Sequence, residues 1–252
     1  MIRIESSENV KHPWTGLPDV EAEAAFAKAL PAIHGFMSAY RKELVKRYDQ
    51  GKYFWELRSC AYWHEFEQPK IVVPAIQNKV DYAPDLTGFY SNDKTSIIVD
   101  DRWTYLLAVL NSSVSWWLTQ QFFASKQGGF YEFKPMYVAQ VPIPPSSDRK
   151  RELMDGPVKA IVAGASDNRL EQLLNGFVYE LFFKDDLHAR SLTLFDEAES
   201  AGLGKLAGLE GSELVKAGEE FAATNLIPGA RLRTMLSDLA TLDVVRIVEG
   251  RE

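Results

Sequence analysis

Few side chains in this chain are of the kinds that make and break bonds, and their spacing does not suit that work. His12, His34, His64 and His188 stand apart, and none forms a metal pair with another. Cys60 lies among aromatic residues and reads as a buried structural thiol. Pro18-Asp19 and Pro84-Asp85 each resemble the start of a magnesium-dependent nuclease motif. Neither leads to a strand carrying a second acid, one residue and then lysine, so both read as caps or turns. Enzymes that methylate exocyclic amino groups of DNA bases place Asn, Asp or Ser before two prolines and an aromatic. The only Pro-Pro, Pro144-Pro145, has Ile143 before it and Ser146 after it. There is no glycine-rich strand-to-helix turn for a nucleotide cofactor and no G-x-S-x-G elbow. Neither a catalytic centre nor a bound cofactor or metal is therefore expected within the chain.

A second kind of chemistry is better represented, namely hydrogen bonding and charge presented from loops. Gln77-Asn78-Lys79 follows a β-branched run, and Tyr90-Ser91-Asn92-Asp93-Lys94 separates two others. Lys126-Gln127-Gly128-Gly129 precedes an aromatic run containing Tyr131 and followed by Lys134. Each loop admits a plain reading as a turn chosen for its backbone needs, with solvated lysines. Each also admits a binding reading. Two glycines let backbone approach a phosphate closely, and a glutamine amide matches the edge of adenine. Arg58 holds an anion or braces Glu65 or Glu67. Arg41, Lys42, Lys46 and Arg47 form a solvated helix end or contact a phosphate backbone.

The elements that must position these loops follow from periodicity. Asp19 caps an alanine-rich helix, and Pro31 opens another that runs to Gly51 on a stripe of Ile33, Phe36, Met37, Tyr40, Leu44 and Val45. KYFWELR, PKIVVPAI and KTSIIV read as strands. Asp100 or Asp101 caps a helix that breaks at Asn111-Ser112-Ser113, and a second helix carries Trp116 and Trp117. Neighbouring helix positions point about 100° apart, so burial of both indoles implies a helix sandwiched between layers. After a turn at SKQGG come the strand FYEF, a short turn and, from Asp148, three helices. Two more helices and a strand, DVVRIVE, complete the chain.

Of 252 residues, 46% are hydrophobic, enough for a packed core. One cysteine suits a reducing compartment. The N-terminus has no apolar signal region, and the most apolar stretch, 103–124, is interrupted by polar residues, so no membrane span and a cytoplasmic location are expected. The net charge of −7 argues against a generic nucleic-acid binder. Its distribution is uneven, however. Residues 41–140 carry 12 basic and 11 acidic side chains, and residues 141–252 carry 13 and 19. The near-neutral middle is where an anion-facing surface is expected.

In order, GKYFWELRSCAYWHEFEQPKIVVPAI, DLTGFYSNDKTSIIV, LLAVLNSSVSWWL and QGGFYEFKPMYVAQVPIP resemble the TaqI-like C-terminal specificity domain of adenine-specific DNA methyltransferases and type IIG restriction enzymes. The resemblance spans residues 30–200. It implies an α/β (α+β) fold, a small mixed or antiparallel sheet with packed helices flanked by helices at both ends. It divides the chain into bracketing helices (1–50), a recognition core (51–147), a helical bracket (148–202) and an acidic tail (203–252). It also implies that Gln77, Asn78, Lys79, Tyr90, Ser91, Asn92, Lys94, Lys126, Gln127, Gly128, Gly129, Tyr131 and Lys134 meet double-stranded DNA. The family's catalytic domain, with its S-adenosylmethionine, is absent from this sequence. The chain is thus expected to be a fragment of such an enzyme or to act with a catalytic partner. The competing reading is a protein-interaction module whose acidic helices dock on a methyltransferase or nuclease.

Overall fold

The computed structural model describes residues 2–251, which form two compact units divided between Glu65 and Phe66. The fold is mixed α/β with small antiparallel sheets and packed helices, as the sequence implied.

In the first unit, α1 (Asp19–Ala29), α2 (Pro31–Ala39) and α3 (Arg41–Leu44) are linked by short breaks. Asp19 is the first helical residue rather than the cap, which falls on Pro18. The segment read as the strand KYFWELR is instead a turn, and its aromatics build the core. Trp55 stacks between Phe26 (4.7 Å) and Tyr53 (4.9 Å), and Trp14 meets Phe26 edge-on. A strand would send alternate residues outward, but Tyr53, Phe54, Trp55 and Glu56 are all buried. The buried Glu56 carboxylate explains the turn, since it accepts from Trp14 Nε1 (2.9 Å), the Ser7 hydroxyl and the Tyr53 amide. A Cβ on Gly51 would lie 2.6 Å from the Glu56 Cβ, so only glycine fits there.

The second unit contains β1 (Lys70–Pro74), β2 (Ile76–Gln77), β3 (Ala83–Asp85), β4 (Thr95–Ile98), α4 (Trp103–Leu110), α5 (Ser113–Phe122), β5 (Ala124–Lys126), β6 (Phe130–Glu132) and α6 (Pro135–Val138). There follow α7 (Asp148–Val162), α8 (Arg169–Phe182), α9 (Lys184–His188), α10 (Leu194–Ser200), α11 (Gly211–Asn225), α12 (Arg231–Leu239) and α13 (Asp243–Val248). The expected final strand is thus α13. The single helix expected over 185–203 is divided by a turn at Arg190–Thr193, where Ser191 adopts a positive φ.

The strands form two antiparallel sheets, β3-β1-β4 and β2-β6-β5. Helix α4 is buried along almost its whole length between β1 and the pair α7 and α8. Neither Asp100 nor Asp101 caps it; Asp100 instead accepts from the Arg102 amide and guanidinium just before it. Ser112 and Ser147 cap α5 and α7 through their hydroxyls. The acidic tail packs into the same core as the bracket helices, with Leu214, Phe221, Leu232, Met235 and Val245 buried beside Leu153, Leu170 and Phe177. Residues from distant parts of the chain meet closely here: a Cβ on Gly156 of α7 would stand 2.7 Å from the Leu206 Cβ. Trp116 and Trp117 are half-buried, so α5 lies at the edge of the core rather than within a sandwich.

Candidate nucleic-acid interface

The candidate loops hang from one residue. The Ala75 amide donates to the Lys94 carbonyl at 2.9 Å, and the Ala75 carbonyl accepts from the Phe133 amide at 2.8 Å. Strand β1 ends just before Ala75 and β2 begins just after it, so the polypeptide passes from one sheet into the other at this joint. The 90–94 turn, the 77–79 loop and the β5–β6 hairpin are therefore tied together by backbone hydrogen bonds.

The first sheet is braced by a buried ion pair. Lys70 and Asp85 are opposite each other in register, with Lys70 Nζ 2.6 Å from the carboxylate and also donating to the Phe66 carbonyl. Asp85 further accepts from the Thr87 and Phe89 amides (2.8 Å each), which shapes the loop after β3. Burial by itself would raise the Asp85 pKa, but the Lys70 ammonium and the Thr87 donors reverse this and hold it at about 2. The segment before β3 is held from the end of α4. Asn111 Oδ1 accepts from the Tyr82 amide and Asn111 Nδ2 donates to the Tyr82 carbonyl, both at 2.9 Å. The LNS step thus turns out to be a clasp, with Asn111 on the strand side and Ser112 capping the next helix.

In the second sheet, register decides which side chains face out. Gln77 is opposite Tyr131, which is opposite Ser125; Ile76 is opposite Glu132, which is opposite Ala124. The Gln77–Tyr131 side faces inward. Tyr131 meets Trp116 edge-on at 5.5 Å, and Phe133, two residues on, is buried against Phe123. Gln77 is 6% exposed, and its Nε2 donates to the Pro74 carbonyl. The side chain of Gln77 is therefore not offered to an external surface, because strand alternation commits it to the core, while Tyr131 is half-buried against Trp116. The opposite side carries Ile76 (55% exposed), Phe130 (37%), Lys126 and Glu132. Lys126 Nζ and Lys134 Nζ both approach Glu132 Oε2, at 3.3 and 3.2 Å. Partial burial opposes ionisation of Glu132, but the two ammonium groups hold its pKa below the ordinary value.

The remaining candidates sort by environment. Asn78 is exposed, and Lys79 is exposed beside Asp81. Tyr90 stacks on Phe66 and donates to Glu67, an internal brace, while Ser91 is half-buried. Asn92 folds the turn by accepting from the Lys94 amide (2.9 Å), and Lys94 reaches Asp93. Gln127 is exposed at the hairpin tip, where Gly128 (φ 79°) and Gly129 (φ 78°) adopt the left-handed conformation that favours glycine. Of the basic helix end, Arg41 pairs with Glu23 and lies over the Phe54 ring, and Arg47 donates to the Phe54 and Glu56 carbonyls. Lys42 and Lys46 are exposed. Arg58 is exposed too and makes no ion pair among the described residues, so the expected brace to Glu65 or Glu67 does not form. Cys60 is half-buried rather than buried. Sequence reasoning missed Ile76 and Phe130. The alternation around them was visible, but which side faces the core was not.

No helix among the described residues is long and apolar enough to cross a membrane. A search of curated proteins finds no match to the chain. Residues 33–143 match the family model described as the TaqI-like C-terminal specificity domain, a range that contains the Ala75 joint, the Asn111 clasp and all three candidate loops. The match supports a DNA-recognition role within the methyltransferase family. Over residues 33–143 the chain is thus similar to TaqI-like C-terminal specificity domains.

Proposed function

We propose that the chain selects a short DNA sequence on behalf of a bacterial adenine-specific methyltransferase of a restriction-modification or phage-defence system. The match over residues 33–143 carries this reading. Lys79, Lys94, Lys126 and Lys134 hold phosphates, while Asn78, Asn92 and Gln127 meet base edges. Gln77, Tyr90 and Tyr131 support these residues from behind. Methyl transfer belongs to a partner or additional catalytic domain, into which the target adenine is flipped. S-adenosylmethionine belongs there as well. The strand-to-helix passages in this chain, Val99-Asp100-Asp101-Arg102 and Phe133-Lys134, lack the glycines with which backbone cradles such a cofactor.

The test is selection from a random duplex library, with the chain alone and together with a methyltransferase. The expected result is enrichment of one short motif, with affinity falling steeply as salt rises. Absent or salt-insensitive binding in both settings overturns the reading. A second reading, docking on a methyltransferase or nuclease, draws support from the helical part. There Trp116, Trp117 and the 61% exposed Ile247 line an open groove of about 640 Å³. It requires a catalytic partner that still co-purifies after residues 77–79 and 90–94 are deleted.

A further inference from the structure

The β5–β6 hairpin is a short two-stranded ribbon with one side packed on the core and the other open. The major groove of B-form DNA is wide enough to admit a two-stranded ribbon. On the open side, two apolar side chains, Ile76 and Phe130, flank two ammonium groups that share a single carboxylate oxygen. The cluster of Lys126, Glu132 and Lys134 carries one net positive charge, and both of its cations are at the surface.

We infer that this open side of the β2-β6-β5 sheet lies against the duplex, and that Glu132 is a built-in competitor that holds both lysines until phosphate oxygens replace it. The inference rests on the DNA-recognition reading and goes beyond it in naming the face and a restraint on affinity. Bare lysines bind any phosphate. With Glu132 between them, each phosphate contact requires breaking an ion pair first. Non-specific binding, which has only phosphate contacts, bears that cost without compensation. At the correct sequence, Ile76 and Phe130 add apolar contact with base edges such as thymine methyls, which offsets it. Glu132 thereby lowers affinity for right and wrong sequences alike, so that phosphate contacts alone hold the chain weakly and the apolar contacts of Ile76 and Phe130 decide where it stays.

The test uses the full chain, each variant being checked for an unchanged melting transition, and measures duplex binding across a salt series. Glu132→Gln is expected to bind random duplex about tenfold more tightly, the scale of one charge-assisted contact, with a similar gain on the selected motif. The double variant K126A/K134A is expected to flatten the slope of log affinity against log salt by about 1.8, or 0.9 per phosphate contact. Lys216→Ala, on α11 and paired with Glu220, leaves that slope unchanged. Ile76→Ser and Phe130→Ser are each expected to reduce discrimination by about tenfold with the slope preserved. If the unaltered chain enriches a motif but these variants bind as it does, this inference falls and the DNA-recognition reading stands. If the unaltered chain selects no DNA, both fall. Variants that leave DNA binding intact but release a co-purifying protein also overturn the inference, making the face a protein contact.

Discussion

Two lysine–carboxylate clusters lie in adjoining sheets and have the same ingredients, yet they sit in opposite environments. Lys70–Asp85 is enclosed, with the lysine side chain at 0% exposure, and its spare donors and acceptors are taken up by Phe66, Thr87 and Phe89. Lys126–Glu132–Lys134 stands on an open face with both cations in solvent. A buried pair that loses one partner leaves an uncompensated charge in a poorly polarisable medium, whereas an exposed pair that loses one is resolvated. Burial, rather than residue type, therefore separates the pair that holds the fold from the cluster that is free to exchange partners.

The strongest way to break this comparison is Lys70→Met. It should lower unfolding free energy by about 3–5 kcal/mol in urea titrations because Asp85 stays buried without its cation. A cost as small as that at Lys126 would end the distinction. Next in size is Asn111→Ala. It frees the Tyr82 amide and carbonyl and should cost about 1–3 kcal/mol, visible as faster hydrogen exchange around residue 82.

Acid sharpens the contrast further. The folded pKa of Asp85, about 2, lies below its ordinary 3.8, so its contribution is fully present above the unfolded value. That contribution is lost as pH falls from about 4 towards 2. A denaturation series over this range should show the loss in the unaltered chain and a weaker pH dependence in Asp85→Asn. The smallest effect is expected at the open cluster, where Lys126→Ala or Lys134→Ala should change stability by no more than about 0.5–1 kcal/mol.

Much of this fold was legible in sequence. The helix break at Asn111-Ser112-Ser113, the glycine turn at 128–129 and the strands around β1 and β6 all follow from local chemistry. The segment 53–56 did not, because its aromatic run resembles a strand and only the distant residues Ser7, Trp14 and Phe26 make it a buried turn. Nor could sequence assign Gln77. Its amide reads as a base contact until the register with Tyr131, and the packing of Tyr131 on Trp116, turn that side of the sheet inward.

By itself the sequence determined the kind of domain, the absence of a recognisable catalytic motif and the loops that carry hydrogen-bonding side chains, since these depend on residue order and short spacing. The tertiary structure decided which side of each strand is open, which lysine is buried with its partner and how three separate loops join through Ala75. Alternation along a strand divides side chains into two sets. The choice of which set meets water is made by the helices that cover one side, as α5 does where Trp116 meets Tyr131, and the strand's own residues do not carry that information.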